Sequence, residues 1–385
     1  MILKSYAVFY DKGDNMVEWK KVQFKDLYYK ISEKNDLSFG KDKIISVANM
    51  YYNSNVKITD NEYLKTYNIF RVGDIAFEGH KNKDFSYGRF VENTIGDGII
   101  SHIFDVFRPL TDLNLLYWKY VINYENIMGR ILKRCTKSAT MMNNLVANDF
   151  LEEFISVPPI EEQQKIAEIL SAQDKLIELK QKLIDNKKQQ KKWLMQNLLK
   201  GKIRLKGFSG EWKKVKLSDT CKFLDNLRKP VKENERISGC YPYYGASGII
   251  DYVDDYIFDG EYILLGEDGA NIIMRSTSLA YKVKGKIWVN NHAHVLQLKS
   301  NYNIDFIVNV LENIHYDKYN SGTAQPKLNR EVCENIILII PLLAEQTAIG
   351  EILSVQDKEI ELLEKELEQE KLRKKALMQF LLSDV

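Results

Sequence analysis

Cysteine is scarce in this chain. The four present, Cys135, Cys221, Cys240 and Cys333, are scattered with no CxxC and no paired spacing. Free thiols in a reducing compartment are therefore expected, rather than a disulfide frame or a zinc site. Long apolar runs are missing as well. No window approaches the roughly 18 uninterrupted apolar residues of a membrane span. The opening stretch MILKSYAVFYDKGDN lacks the basic head, apolar run and small-residue exit of a signal peptide, and its alternating tyrosines and apolars read as a short strand. A cytoplasmic protein with no membrane partner is the expectation. There is no excess of either charge, with 55 Lys+Arg against 53 Asp+Glu. A bulk basic surface for nucleic acid is thereby excluded, although local basic strips are not. No Gly-rich phosphate loop of Walker type occurs, so ATP use would belong to another chain.

What the sequence does contain is a duplication. Residues 157–199 and 340–382 align without a gap at an offset of 183 (Val157 against Ile340), and roughly half of the paired positions are identical. The chain reads as two successive units: a globular segment 1–156, a helical repeat 157–205, a second globular segment 206–339 and a second helical repeat 340–385. The globular segments share a plan. Glu18-Trp19-Lys20-Lys21-Val22 is echoed by Glu211-Trp212-Lys213-Lys214-Val215, Val72-Gly73-Asp74-Ile75 by Asp259-Gly260-Glu261-Tyr262, and Ser138-Ala139-Thr140 by Ser321-Gly322-Thr323. Strand-like alternation and turn signals dominate both, with helical spacing at 115–123 and 305–314. The fold class expected is α+β: two pseudo-repeated mixed domains separated by two long helices.

Those helices carry one apolar stripe each. Ile166, Ile169, Leu170, Leu176, Ile177, Leu183, Ile184, Leu194 and Leu198 fall at three- and four-residue steps. Ile349, Ile352, Leu353, Ile360, Leu363, Leu367, Leu377 and Leu381 do the same. This is a coiled-coil pattern, and some 40 residues make a rod of roughly 60 Å. Pro158 and Pro341 stand where proline is tolerated at a helix start. Each helix is acidic early and basic late, so an antiparallel pair sets acidic halves against basic ones; complementing each helix's own dipole would favour the same arrangement. Gln173 and Gln356 interrupt the stripes at matching positions. Each could fix register, face a partner subunit or simply be exposed.

On these residues the chain resembles the specificity subunits of type I restriction-modification enzymes, from end to end. The pieces that carry the resemblance are the two EWKKV starts, YPYYGASGIIDYVDDYIFDGEYILLGEDGAN at 241–271, WVNNHAHVL at 288–296, SGTAQPKLN at 321–329 and the duplicated P-x-x-x-E-Q…I-x-x-I-L-S-x-Q-D-K. The first half departs from the pattern. It lacks the GFSG lead, and Ser138-Ala139-Thr140-Met141-Met142-Asn143-Asn144 stands in place of the SGTAQPK loop.

The resemblance implies a non-catalytic chain that reads a bipartite DNA target. Each globular domain would read one half-site of double-stranded DNA, and the antiparallel helices would set the gap. The helices would also dock two modification (methyltransferase) subunits carrying S-adenosylmethionine. Restriction and motor subunits using ATP and Mg²⁺ would complete the enzyme, leaving no cofactor in this chain. Base reading requires donors and acceptors on loops. The second domain offers Tyr243, Tyr244, Ser247, Asn290, Asn291, His292, Ser321, Thr323, Gln325 and Lys327, with Gly245, Gly248 and Gly322 allowing close backbone approach. Tyr243 and Tyr244 suit a hydrophobic core equally well. In the first domain the candidates are His80, Lys81, Lys83, Tyr87, Arg89, Ser138 and Thr140. The expected helix interface is Ile166, Ile169, Leu170, Gln173, Ile177, Ile184, Leu194, Leu198, Ile349, Ile352, Leu353, Gln356, Ile360, Leu367, Leu377 and Leu381.

Catalytic readings fail on chemistry. Val157-Pro158-Pro159-Ile160 lacks the Asn or Asp that would hold a target amine in an adenine methyltransferase. His292 and His294 have no third metal ligand at suitable spacing. Glu178-Leu179-Lys180 lacks the aspartate of a nuclease site and reads as a solvated helix face. The alternative function is a coiled-coil scaffold whose globular halves bind proteins.

Overall fold

The computed structural model describes residues 18–56, 60–138, 142–322 and 325–382. The strand expected in the opening stretch, and the candidates Thr140 and Thr323, lie outside them. Packing divides the chain into two compact units, Met1–Leu179 with Glu368–Val385, and Lys180–Leu367. The division falls inside both long helices, Ile160–Leu198 and Leu343–Leu381.

The first unit is built on a four-stranded antiparallel sheet in the order Tyr28–Ile31, Val106–Pro109, Ile75–Glu78, Arg89–Glu92. Helices Leu115–Ile122, Glu125–Cys135 and Ala147–Glu152 accompany it. Phe24, Phe90, Phe107 and Phe150 stack at 4.5–5.7 Å between ring centroids, and Tyr28 meets Trp118 edge to face at 6.1 Å. Ile166, Ala167 and Leu170 from the first long helix, Leu377 and Leu381 from the second, and Leu382 just after it belong to this core. The helix ends are thus held by tertiary burial, worth roughly 1.5–3 kcal/mol for each large aliphatic side chain.

The second unit has a six-stranded mixed sheet in the order Cys221–Phe223, Ala293–Leu298, Phe258–Gly266, Ala280–Val289, Ser238–Gly245, Gly248–Val253. Its core takes in Leu198 at the end of one long helix, Leu199 just after it, and Ile349 and Leu353 from the other. The shared plan read from the sequence holds residue for residue at the entrances. Lys20–Gln23 pairs antiparallel with Phe154–Val157, starting Lys20 opposite Val157. Lys213–Lys216 pairs with Ile337–Ile340, starting Lys213 opposite Ile340.

The P-x-x-x-E-Q repeats are helix-start devices. Gln163 Nε2 donates to Pro158 O and Gln346 Nε2 to Pro341 O, both at 2.9 Å, satisfying a carbonyl at the turn into each helix. The glutamate before the second of these glutamines anchors what comes ahead of the EWKKV strand. Glu345 is 3% exposed and receives Arg204 Nε at 2.6 Å and Nη2 at 2.7 Å.

Within each unit the long helices run antiparallel. In the first, Gln173 Nε2 donates to Glu370 O (3.1 Å) and Glu370 Oε2 (2.9 Å), and Lys374 pairs with Asp174 at 2.6 Å. In the second, Lys180 pairs with Glu366 (2.6 Å), Lys187 with Glu359 (2.7 Å), Lys188 with Glu364 (2.6 Å) and Lys191 with Asp357. Along the row Lys180, Lys187, Lys191 the partners run Glu366, Glu359, Asp357, descending on one helix as the lysines ascend on the other. These pairs are partly solvated, so each contributes about 0–1 kcal/mol; their joint effect is to select direction. Gln173 fixes register by bonding across the pair. Gln356 does not reach across: its amide lies 3.5 Å from Glu359 on its own helix. Leu176 and Leu183, counted in the stripe from spacing, are 37% and 42% exposed and flank the seam. Lys180, Lys187 and Lys191 stand in the three–four row instead, each answered by an acid opposite.

Candidate nucleic-acid interface

In the second unit, motifs far apart in sequence meet on one rim. The turn at 267–270 follows strand Phe258–Gly266. The turn at 290–292 joins strands Ala280–Val289 and Ala293–Leu298. Residues 320–322 and 325–328 lie ahead of helix Arg330–Glu334. Backbone bonds tie them together: Glu267 N donates to His292 O (2.9 Å), Leu328 N to Glu267 O (2.7 Å) and Gly269 N to Pro326 O (3.0 Å). Asn290 N donates to Tyr244 O (3.0 Å), joining the hairpin formed by Ser238–Gly245 and Gly248–Val253.

Residues 320–322 are closed onto Lys327. Asn320 Oδ1 accepts from Gly322 N (3.0 Å) and Lys327 N (2.9 Å), and Ser321 N donates to Lys327 O (2.8 Å). A Cβ on Gly322 would stand 1.8 Å from Gln325 O, so glycine is required by close approach. The result presents Ser321, Gln325 and Lys327 to solvent beside Asn291 and His292. Lys327 Nζ lies 3.5 Å from Glu267 Oε1, and His292 Nδ1 lies 2.9 Å from Asp268 Oδ2. Tyr244 is half-buried against Tyr281, and burial pushes its phenol up. Ser247 is exposed at the hairpin tip, where Gly248 adopts φ +130°.

Three candidates do not face outward. Tyr243 is 1% exposed; its hydroxyl oxygen accepts from Val231 N at 2.9 Å, and the Arg236 guanidinium covers its ring. It is a core residue. Asn290 is 5% exposed, and its Oδ1 accepts from His292 N at 2.8 Å, shaping the turn rather than offering its amide. Gly245 is buried, and a Cβ there would meet Ile250 Cδ1 at 2.3 Å. Successive residues of a strand point to opposite faces, so Tyr243 enters the core and Tyr244 faces the other way.

Beneath the rim lies a charged layer that sequence reading missed. Arg228 Nη1 donates to Glu267 Oε2 and to Ala293 O, both at 2.7 Å. His294 is fully buried, with Nδ1 2.7 Å from Asp225 Oδ2 and Nε2 2.8 Å from Leu328 O. Burial alone would push this imidazolium down. The hydrogen bond to the Asp225 carboxylate leads the interactions that outweigh this and raise it to about 10. Desolvation alone would likewise raise Asp225, but His294 holds it below the usual carboxylate range. No sequence signal separates His294 from His292, because both sit in one short polar run.

The first unit repeats the arrangement. Asn143 N donates to Gly79 O at 2.8 Å, so close that a Cβ on Gly79 would lie 2.1 Å from Asn143 O. Lys81 Nζ donates to Ser138 Oγ at 2.7 Å, bringing the 80–83 loop against strand Thr136–Ser138. His80, Lys81, Lys83 and Ser138 are exposed and Tyr87 is half-buried. Arg89 is committed elsewhere: Nε donates to Glu78 Oε2 (2.7 Å), Nη2 to Ala48 O (2.8 Å), and the group lies over the Phe85 ring. A guanidinium so held is a structural strut rather than a free base reader. This unit also has a cleft of about 390 Å³ with aromatic, aliphatic and guanidinium walls, including Trp19, Tyr124, Arg130 and Phe154.

Among the described residues no group of three His, Cys, Asp or Glu side chains could hold a metal ion. No helix there is long and apolar enough to cross a membrane.

The sequence profile described as the type I restriction modification DNA specificity domain matches residues 16–187 and again 209–371. A putative type I restriction enzyme specificity subunit of Haemophilus influenzae is 39% identical over 149 residues, 39% of this chain and 38% of that protein. The specificity subunit of the type I enzyme EcoprrI of Escherichia coli is 30% identical over 127 residues, 33% of this chain and 30% of that one. The matched stretches thus span less than half the length of these relatives. In three dimensions the chain is similar to the S subunit of a type I system from M. genitalium, with TM-score 0.64, 17% identity and coverage of 97% and 98%. A chain from a structure on assembly and conformational transition of the type I R-M system follows at TM-score 0.56, 13% identity and coverage of 95% and 96%.

Proposed function

Because the chain belongs to the type I restriction-modification DNA specificity family, matched over two successive stretches, we propose that it reads a bipartite duplex DNA target without catalysing a reaction itself. The observation that carries this is the rim of the second unit. Ser247, Asn291, His292, Ser321, Gln325 and Lys327 are gathered there from three sequence regions onto loops held rigidly by backbone bonds. Amide, hydroxyl and ammonium groups so presented suit base edges and phosphates. His80, Lys81, Lys83 and Ser138 do the same work for the other half-site.

The antiparallel helices set the spacing between half-sites and dock two modification subunits, which bring S-adenosylmethionine. Leucines 176, 179 and 372 in the first unit, and Leu183, Trp193, Val355 and Leu362 in the second, are exposed on the helices and suit such docking. ATP and Mg²⁺ belong to restriction and motor subunits of the full complex, and the assembly works in the cytoplasm.

Mapping modified adenines genome-wide in cells with and without this chain tests the proposal. Loss of a split motif with a fixed gap is expected; an unchanged pattern leaves only a protein scaffold. In the same assay Lys327→Ala weakens modification at targets through the second half-site.

A further inference from the structure

We propose that His294, wholly inside the protein, is a positioning residue for DNA reading: as a doubly protonated imidazolium it fastens the segment 325–328 to the Asp225–Arg228 turn and so sets the rim's shape. The inference rests on the reading of that rim as a DNA surface.

The geometry requires two protons. Nε2 faces a backbone carbonyl, Leu328 O at 2.8 Å, which can only accept. Nδ1 faces Asp225 Oδ2 at 2.7 Å, while Asp225 Oδ1 already accepts from Val295 N at 3.0 Å. A neutral ring has a single N–H and would set a lone pair against one of these acceptors in a buried place, which is costly. With both protons present, each contact is a charge-assisted hydrogen bond. The surroundings fit a cation. Asp225 and, at 3.8 Å, Glu267 supply negative charge, with Arg228 bonded to Glu267. Cys333 lies on the helix that follows the loop, and Arg330 is stacked over Phe223, whose ring neighbours the imidazole.

The bond to Leu328 O matters because of where that residue sits. Leu328 is buried at the base of the loop, and its N–H donates to Glu267 O at 2.7 Å. Through Leu328 and Asp225 the one ring joins the loop bearing Ser321, Gln325 and Lys327 to the turn bearing Arg228. It does so without touching DNA.

The test uses the full chain, selectively ¹⁵N-labelled at histidine, and fluorescence-monitored binding to duplexes with an intact or scrambled second half-site. Wild type should show one histidine with both ring nitrogens protonated at pH 8, and an affinity ratio between the duplexes that is flat from pH 6 to 9. His294→Gln, which keeps at most one of the two bonds, should lower that ratio by about tenfold. Asp225→Asn keeps the shape but removes the charge. The ring, still buried, should then lose a proton at or below the ordinary imidazole value of about 6.5, so the ratio falls as pH rises from 6 where wild type does not. A purely packing role for His294 would not create that slope. An unprotonated nitrogen on every wild-type histidine at pH 8, or a flat profile for Asp225→Asn, overturns the inference. A response to Lys327→Ala with none to His294→Gln overturns it alone. No response to either overturns the DNA reading of the rim, and the inference with it.

Discussion

Glu92 offers the sharpest quantitative test of the fold. It ends strand Arg89–Glu92 opposite Ile75, is 3% exposed, and neither carboxyl oxygen has a hydrogen-bond partner among the described residues. The neighbouring Tyr28 hydroxyl is also buried without a partner among the described residues, and burial followed by the Glu92 charge pushes that phenol far up. Desolvation raises Glu92 from 4.5 to about 8, only partly offset by Lys119. In the folded chain the group is therefore neutral at pH 7, whereas in the unfolded chain it is ionised. A folded-state pKa above the unfolded one means folding takes up a proton, and stability falls as pH rises between the two values. Each pH unit there costs about 1.4 kcal/mol, so about 3 kcal/mol is lost by pH 7, with the loss levelling off near pH 8. Glu92→Gln keeps the shape and cannot ionise. Urea unfolding of wild type and variant from pH 4.5 to 9, followed at a tryptophan signal of the first unit, should give curves that coincide at the acid end. They should separate by about 3 kcal/mol at pH 7, the variant being the more stable. A difference that does not change with pH would refute the buried, unpartnered carboxyl.

Three further outcomes follow from the structure. Arg108→Ala removes the two 2.9 Å bonds that reach Asp74, a residue 1% exposed, and should lower the stability of the first unit by about 3 kcal/mol in urea titration. Gly322→Ala cannot be accommodated 1.8 Å from Gln325 O; modification through the second half-site should be abolished while far-ultraviolet circular dichroism and the melting temperature stay near wild type. Adding one heptad to both long helices should change the gap in the modified motif and preserve both half-site sequences; altered half-sites at an unchanged gap would refute the spacing role of the helices.

Much of the architecture is legible in the amino-acid sequence. The duplication, the long helices and their antiparallel sense are visible because helical periodicity and charge blocks are local patterns that survive translation into three dimensions. Even so, the seam is only approximately readable. Leu176 and Leu183 are apolar and correctly spaced, yet flank it, while Lys180, Lys187 and Lys191 occupy the row itself. Long lysine stems can lie along a seam when an acid opposite receives the head, and composition cannot announce that.

The site is legible by residue type and not by placement. Tyr243 and Tyr244 are the same residue type on opposite faces of one strand, and only what packs on each face makes one a core residue and leaves the other at the rim. Arg89 has the chemistry of a base reader, but Glu78 and Ala48 hold it. His294 carries no signal, because its importance comes from Asp225 and Leu328, 69 and 34 residues away. By itself the sequence determined the repeat, the helices, their pairing direction and the family, all of which rest on near-neighbour periodicity and direct likeness. Only the tertiary structure decided which polar groups face outward, which are consumed inside, and that one buried ring ties them together. Those outcomes depend on contacts between strands and loops remote in the chain, where burial and hydrogen-bond saturation, rather than local propensity, choose each side chain's role.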